Sequence, residues 1–401
     1  MRGYLVIAAA VLMQAALGGI YAWSVLADAL RESFGYSSAQ VQMVFGTCIG
    51  VFTLSAIWTG RIQDRLGPRL PAAASALLLA ASYLTAWAGG DRFILLWLGI
   101  GVLGGLGIGC GYVCPIATAV KWFPRHKGLV CGLAVAGYGA GAIVLSQLAS
   151  RLMGAGWGVR DVFALVGVVY GLAVLATGLT LVLPPGSLGP SQQPLPPRAV
   201  FLRDRRFWFL AAGIFTSTLP GLMIVSPLKA MGESFGVWAG SAVLAVSALA
   251  VGNASGRIAW GFIFDRLGRR RSTMTLQALI AASVAVLLAP ALAPLGPAAR
   301  AAAFIAAAAF VGFCYGGCFA VYPGSVAQLY GPEIMGTVYP MVLFAHGISA
   351  IFGPYLGGLA RDLTGSFVPA LAVSLAVALA GLALTRLTPE GATAQRSCAR
   401  E

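Results

Sequence analysis

The sequence predicts an all-α membrane protein with twelve transmembrane helices arranged as two six-helix halves. Three observations lead to this. The 401 residues are 59% hydrophobic and only 9% charged, with a mean hydropathy of +0.87, whereas a soluble domain carries about 25% charged residues. Apolar runs follow one another along the whole chain, each reaching the roughly 20 residues a helix needs to cross a bilayer. A short charged phrase also appears twice, as GRIQDRLGPR at 60–69 and GFIFDRLGRRR at 261–271.

Taken in order, the first run extends from Tyr4 to Leu30. It is too long for a secretory h-region of about 7–15 residues, and similar runs follow it, so a retained helix is expected. Marking apolar stretches bounded by glycine, proline and charge then gives spans at 4–30, 39–60, 71–90, 93–120, 128–151 and 160–183. A second set follows at 207–231, 237–260, 272–293, 299–327, 337–360 and 366–386. Between the sets lies PPGSLGPSQQPLPPRAVFLRDRR, residues 184–206, whose Pro/Ser/Gln composition reads as a flexible linker. The expected organisation is therefore an N-terminal bundle (1–183), a cytoplasmic linker (184–206), a C-terminal bundle (207–386) and a cytoplasmic tail (387–401).

The formal net charge of +14 is spread over short connectors rather than gathered in one patch, which argues against nucleic acid. Counted by alternate connectors, one face collects 18 of the 26 Lys and Arg and the other face seven. The positive-inside rule then puts both termini and the linker in the cytoplasm, with the chain in the cytoplasmic membrane. The remaining basic residue is Arg257. Six of the seven cysteines fall inside spans, where Cys behaves as a small apolar residue. With no CxxC pair and no Cys/His cluster, neither a disulfide framework nor a metal site is expected.

Each copy of the repeated phrase falls in the cytoplasmic connector between the second and third helices of its half, so the chain reads as a duplicated six-helix unit. The phrase resembles the G-x-x-x-D-R-x-G-R loop motif of the major facilitator superfamily, matched by Gly60, Asp64, Arg65, Gly67 and Arg69 and by Gly261, Asp265, Arg266, Gly268 and Arg269. It is either an ordinary topogenic loop or a gate. The resemblance implies the gate, a charge network of Asp64, Arg65 and Arg69 with Asp265, Arg266 and Arg269 that breaks when the halves rock.

Further stretches narrow the family. They are GIYAWSVL (19–26), GGLGIGCGYVCPIATAVKWFPRHKG (104–128) continuing into GLAVAGYGAG, GFCYGGCFAVYPG (312–324) and GTVYPMVLFAHGISAIFGPYLGG (336–358). Together they resemble the oxalate/formate antiporter family and its monocarboxylate transporter relatives over nearly the whole chain. Two positions depart from the pattern. His346 stands where the oxalate/formate antiporter has Lys, and Asn253 of GNASGR stands where animal monocarboxylate transporters have Asp.

Within the spans, Arg257 is the basic residue that no connector claims. An intramembrane Arg is disfavoured by about 2.5–3.5 kcal/mol and demands a partner. No acidic residue lies well inside any span; Asp28, at the outer end of the first, is the nearest. Either the guanidinium snorkels to the interface, or it meets a visiting carboxylate whose two oxygens match its planar fork. The resemblance implies the second, with Asn253 one turn earlier orienting the fork or touching the substrate. His346 lies about ten residues into its span, near the midplane. It is either a packing residue or the buried group that titrates near neutral pH and couples substrate to a proton.

Tyr112 and Tyr315 occupy corresponding places in the fourth helices of the halves, each within a glycine cluster, and are either interface anchors or pocket residues donating a hydroxyl to the carboxylate; Tyr21 and Tyr138 are further substrate-binding candidates. The glycines at 99–111 follow no strand and sit in an apolar run, so they mark close helix packing rather than a nucleotide loop. No Walker motif, Ser/His/Asp set or paired carboxylates are present, so neither enzymatic chemistry nor a cofactor is expected. The expectation is a functional monomer in the lipid bilayer that moves a small lactate-like monocarboxylate with a proton by alternating access. The alternative is carboxylate antiport of the oxalate/formate kind.

Overall fold

The computed structural model describes residues 2–89, 91–185, 195–225 and 227–387, and helices carry nearly all of them. A chain in hydrocarbon must satisfy its backbone groups internally, which leaves the helix as the natural element for such apolar runs. The first six long segments comprise α1 (Arg2–Gly18) continuing through a 3₁₀ turn (Gly19–Ala22) into α2 (Trp23–Phe34), α3 (Ser38–Leu66), α4 (Arg69–Gly89), α5 (Phe93–Leu96) continuing through a π-helical stretch (Trp97–Gly104) into α6 (Gly105–Trp122), α7 (Lys127–Gly154) and α8 (Val159–Thr180). After a short α9 (Arg198–Arg203) come α10 (Arg205–Val225), α11 (Leu228–Ser234), α12 (Ala239–Leu292), α13 (Pro297–Tyr330), α14 (Met335–Thr364) and α15 (Val368–Arg386).

Eleven of these segments are long and apolar enough to cross a membrane, and one of them, α12, runs to 54 residues. Gly268 lies inside α12 with φ 72° and ψ 175°, so α12 is two helical arms, 239–267 and 269–292, and the spans number twelve among the described residues. Gly67, at the same place in the first copy of the phrase, has φ 83° and ψ 175°. This region of backbone space is essentially open to glycine alone. The repeated glycine is therefore explained: it turns the chain sharply between two spans. Replacing either Gly67 or Gly268 with Ala is expected to destabilise the protein by about 1–3 kcal/mol, although neither added methyl meets a neighbouring atom. A lowered thermal midpoint for both, with no change for Ala at Gly154, would confirm it.

The expected first helix, 4–30, is interrupted. Its α-helical hydrogen bonding tightens to a 3₁₀ turn at Gly19–Ala22, next to Gly18, where an added Cβ would meet the Tyr138 carbonyl. The helix thus changes its hydrogen bonding where its backbone presses against α7. The linker also differs from expectation. Residues 186–194 and the tail beyond Leu387 lie outside the described residues, but α9 forms within the linker, and Phe201 is buried there against Tyr330, with ring centroids 5.7 Å apart.

By contact the chain forms two compact units. The first gathers residues up to 125, 133–196 and 331–344. The second gathers 126–132, 197–330 and those from 345 onward. Each presents large apolar side chains outward and keeps a few polar ones within an otherwise apolar core. Leu77 and Val251 are largely exposed, while Gln14, Ser75 and Gln277 are fully buried. Gln14 Nε2 donates to the Tyr112 carbonyl at 3.0 Å, Ser75 Oγ to Gly107 at 2.7 Å, and Gln277 Nε2 to Gly213 at 3.1 Å. In hydrocarbon, polar side chains face protein carbonyls because no other partner is available.

Candidate functional site

The site in the second unit is set by a close approach of the first arm of α12 to α13. At Gly252 and Gly256 an added Cβ would run into the carbonyl oxygens of Ala309 and Phe313. At Gly312 and Gly316 it would run into those of Leu249 and Asn253. Glycines four apart on both helices let the two backbones touch. That contact brings Asn253 and Arg257 on α12 alongside Tyr315 and Phe319 on α13.

These residues gather around the Phe319 ring. The Arg257 guanidinium carbon stands 5.0 Å from its centroid, a cation–π distance. The His346 ring meets it edge-on at 5.0 Å and the Tyr315 ring at 5.4 Å. Arg257 Nε donates to Asn253 Oδ1 at 2.8 Å, which fixes the plane of the fork. Arg257 does not run out to an interface: it is 4% exposed and sits about 6 Å from the middle of the 239–267 arm at 1.5 Å per residue. His346, 3% exposed, lies in the middle turns of α14. Its Nδ1 has no hydrogen-bond partner among the described residues.

Chemically, this cluster offers a buried, oriented cation, a nearby ring that can take a proton, and an apolar wall. Phe319 is missing from the residues the sequence singles out. Its one signal is its position four residues after Tyr315, on the same helical face.

The other candidate tyrosines form a separate aromatic cluster in the first unit. Tyr138 meets Tyr21 and Tyr112 edge-on, each at 5.4 Å, and Tyr112 meets Phe52 at 5.0 Å. Tyr112 and Tyr138 are buried, whereas Tyr21, on the 3₁₀ turn, is 39% exposed. The glycines at 99–111 pack α6 and the π-helical stretch before it against neighbouring backbones. An added Cβ at Gly99 would meet the Ser82 carbonyl, and one at Gly105 the Cys48 carbonyl.

The acids of the repeated phrase do something other than pair with its arginines. Asp64 accepts from Gly336 N at 3.2 Å, Thr337 N at 2.6 Å and Thr337 Oγ1 at 2.9 Å. Asp265 accepts from Gly128 N at 2.8 Å and Leu129 N at 2.9 Å. Each carboxylate caps the first turn of a helix, Asp64 at α14 and Asp265 at α7, where free N–H groups and the helix dipole favour an anion. Among the described residues neither acid is in an ion pair; the pairs present join Arg31 to Asp28, Arg206 to Asp204 and Lys229 to Glu233.

The expected Asp/Arg network is thus corrected to a carboxylate on backbone donors. Arg65 and Arg69 are exposed, Arg266 lies over the Phe262 ring at 4.0 Å, and the Arg269 backbone N–H donates to Gln328 at 3.1 Å. The capped helices carry site candidates further along: α14 holds His346 and α7 holds Tyr138.

Comparison with known proteins follows the same lines. The family model of the Major Facilitator Superfamily matches residues 5–228 and 221–397. An uncharacterised MFS-type transporter of Escherichia coli, YhjX, is 30% identical over 359 residues, covering 87% of this chain and 86% of that protein. The oxalate:formate antiporter of Oxalobacter formigenes is 28% identical over 397 residues, 96% of this chain and 91% of that one. Among solved structures, the transporter FucP in its outward conformation superposes with a TM-score of 0.74 at 15% identity, covering 96% of this chain and 99% of that chain.

Proposed function

The chain belongs to the major facilitator superfamily of membrane transporters, and from that premise we propose that it carries a small monocarboxylate of the lactate type together with a proton, by alternating access. The observation that carries this reading is the buried Arg257 guanidinium. Asn253 holds its Nε and Phe319 lies beneath it, an arrangement suited to a carboxylate arriving on the planar fork. The carboxylate's charge would favour the imidazolium form of His346 on the same ring. Substrate and proton then bind together and leave together. Arg257 is the one permanently charged member of the Phe319 cluster, which suits one carboxylate better than two.

Asp64 and Asp265, with Arg65, Arg69, Arg266 and Arg269 around them, are the gating elements in this reading: their helix caps hold in one state and release in another. Both termini lie in the cytoplasm, and the protein works as a monomer in the cytoplasmic membrane. A second reading, exchange of carboxylates, is favoured by the nearly full-length similarity to the oxalate:formate antiporter.

The two readings separate in proteoliposomes. Uptake of labelled lactate should rise several-fold under an inward proton gradient. His346→Gln should abolish that dependence while lactate-for-lactate counterflow persists. Wild-type uptake that ignores the gradient, with undiminished exchange, would remove the symport reading and promote the antiport one.

A further inference from the structure

The first unit carries, away from the residues discussed above, a surface groove of about 440 Å³ between α1 and α8. Ala8 and Ala176 give it depth, and Leu5 and Leu12, 65% and 61% exposed, stand along its rim. Its polar lining atoms are already engaged. Thr177 Oγ1 donates to the Ala173 and Val174 carbonyls and Thr180 Oγ1 to the Thr177 carbonyl. The Val182 carbonyl accepts from the Trp122 indole at 2.7 Å. One lining residue is charged: Arg2, in the first turn of α1.

We propose that this groove is a binding site for one anionic phospholipid, its phosphate on Arg2 and an acyl chain along the groove. The inference goes beyond the transport reading and does not depend on it. From Arg2 to Leu12 the helix rises about 15 Å, half the roughly 30 Å thickness of the hydrocarbon core. A lipid anchored at Arg2 would therefore lay its chain along the groove down to the bilayer middle.

The chain itself gains little by leaving surrounding lipid, whose tails are as apolar as the groove. Selectivity must come from the headgroup. A guanidinium pairs with the phosphate of either phosphatidylglycerol or phosphatidylcholine, but the choline ammonium cancels the charge of the latter. The preference therefore rests on net headgroup charge, on the order of fivefold for one basic residue. A larger groove of about 630 Å³, between the first arm of α12 and α13, is lined by Val251 and other uncharged residues. By the same reasoning it accepts chains without regard to headgroup, and it serves as an internal control.

The test uses the purified full-length protein in detergent, titrated with phosphatidylglycerol or phosphatidylcholine of matched chains and read by native mass spectrometry. The wild type should retain one phosphatidylglycerol about fivefold more readily than phosphatidylcholine. Arg2→Gln should bring the two to parity. Ala8→Phe, and separately Ala176→Phe, should fill the groove and lose that bound lipid; both positions are exposed, so folding should survive. Val251→Phe in the second groove should leave the preference intact. Retention of the preference by Arg2→Gln, or of the bound phosphatidylglycerol by both Phe variants, would overturn the assignment.

Discussion

Arg257→Lys is expected to lower lactate uptake roughly 30-fold to 4,000-fold, with the protein still folded. Lysine keeps the positive charge but loses the Nε–H bond to Asn253 Oδ1 and the paired donors that match a carboxylate. Truncating one partner of a buried, hydrogen-bonded charge pair removes about 2–5 kcal/mol, and each 1.4 kcal/mol is a factor of ten. Asn253→Ala should be milder, about tenfold, because it releases the orientation of the fork and leaves the fork itself. Initial rates in proteoliposomes, normalised to reconstituted protein, give the ranking, and a thermal midpoint within a few degrees of wild type shows the fold is kept. Undiminished uptake by Arg257→Lys would mean that a point charge suffices, and the geometric argument would be wrong.

Asp64→Ala is expected to have the second largest effect. It should reduce transport at least tenfold and shift the population away from the state in which α14 is capped. The carboxylate is 3% exposed and accepts from three donors. Each buried donor left without a partner costs about 1–3 kcal/mol, and the helix terminus loses its compensating charge as well. Asp64→Asn keeps an acceptor and should recover part of the loss.

Asp265→Ala should be weaker than Asp64→Ala, because Asp265 is only half-buried and accepts from two N–H groups, whereas Asp64 accepts from two N–H groups and the Thr337 hydroxyl. Cysteine-accessibility labelling of α14 next to Thr337 reads the population, and transport rate reads the consequence. Equal effects from the two Ala substitutions, or no change in labelling with either, would show that the caps do not govern the state. Asp64 binds α14 at its first turn, and His346 lies eleven residues on from Met335, about 17 Å along the axis.

Much of this molecule follows from one-dimensional physics. A bilayer requires long apolar runs with their backbones satisfied, so length and hydropathy locate the spans, and the spacing of GRIQDRLG and GFIFDRLG divides them into two sets of six. The same constraint exposes candidate function. In an apolar span an ionisable side chain is disfavoured and therefore informative, which is why Arg257 and His346 stand out without any coordinates. Gly67 and Gly268 were legible as motif letters, but their shared φ and ψ supply the physical reason for the letter.

Only the tertiary structure decided the rest. Phe319 is one of 20 phenylalanines, and beyond its place four residues after Tyr315 nothing along the chain marks it as the ring on which Arg257, His346 and Tyr315 meet. That meeting depends on Gly252, Gly256, Gly312 and Gly316 letting two backbones touch across 60 residues of sequence. The partners of Asp64 and Asp265 were equally hidden. The sequence placed arginines beside both acids, yet the carboxylates settled on N–H groups at helix starts 272 and 137 positions away. The apolar runs and the intramembrane cation are written residue by residue, because solvent acts on each side chain alone. Main-chain donors are the same at every position, so which acid finds which helix end is fixed when the helices pack.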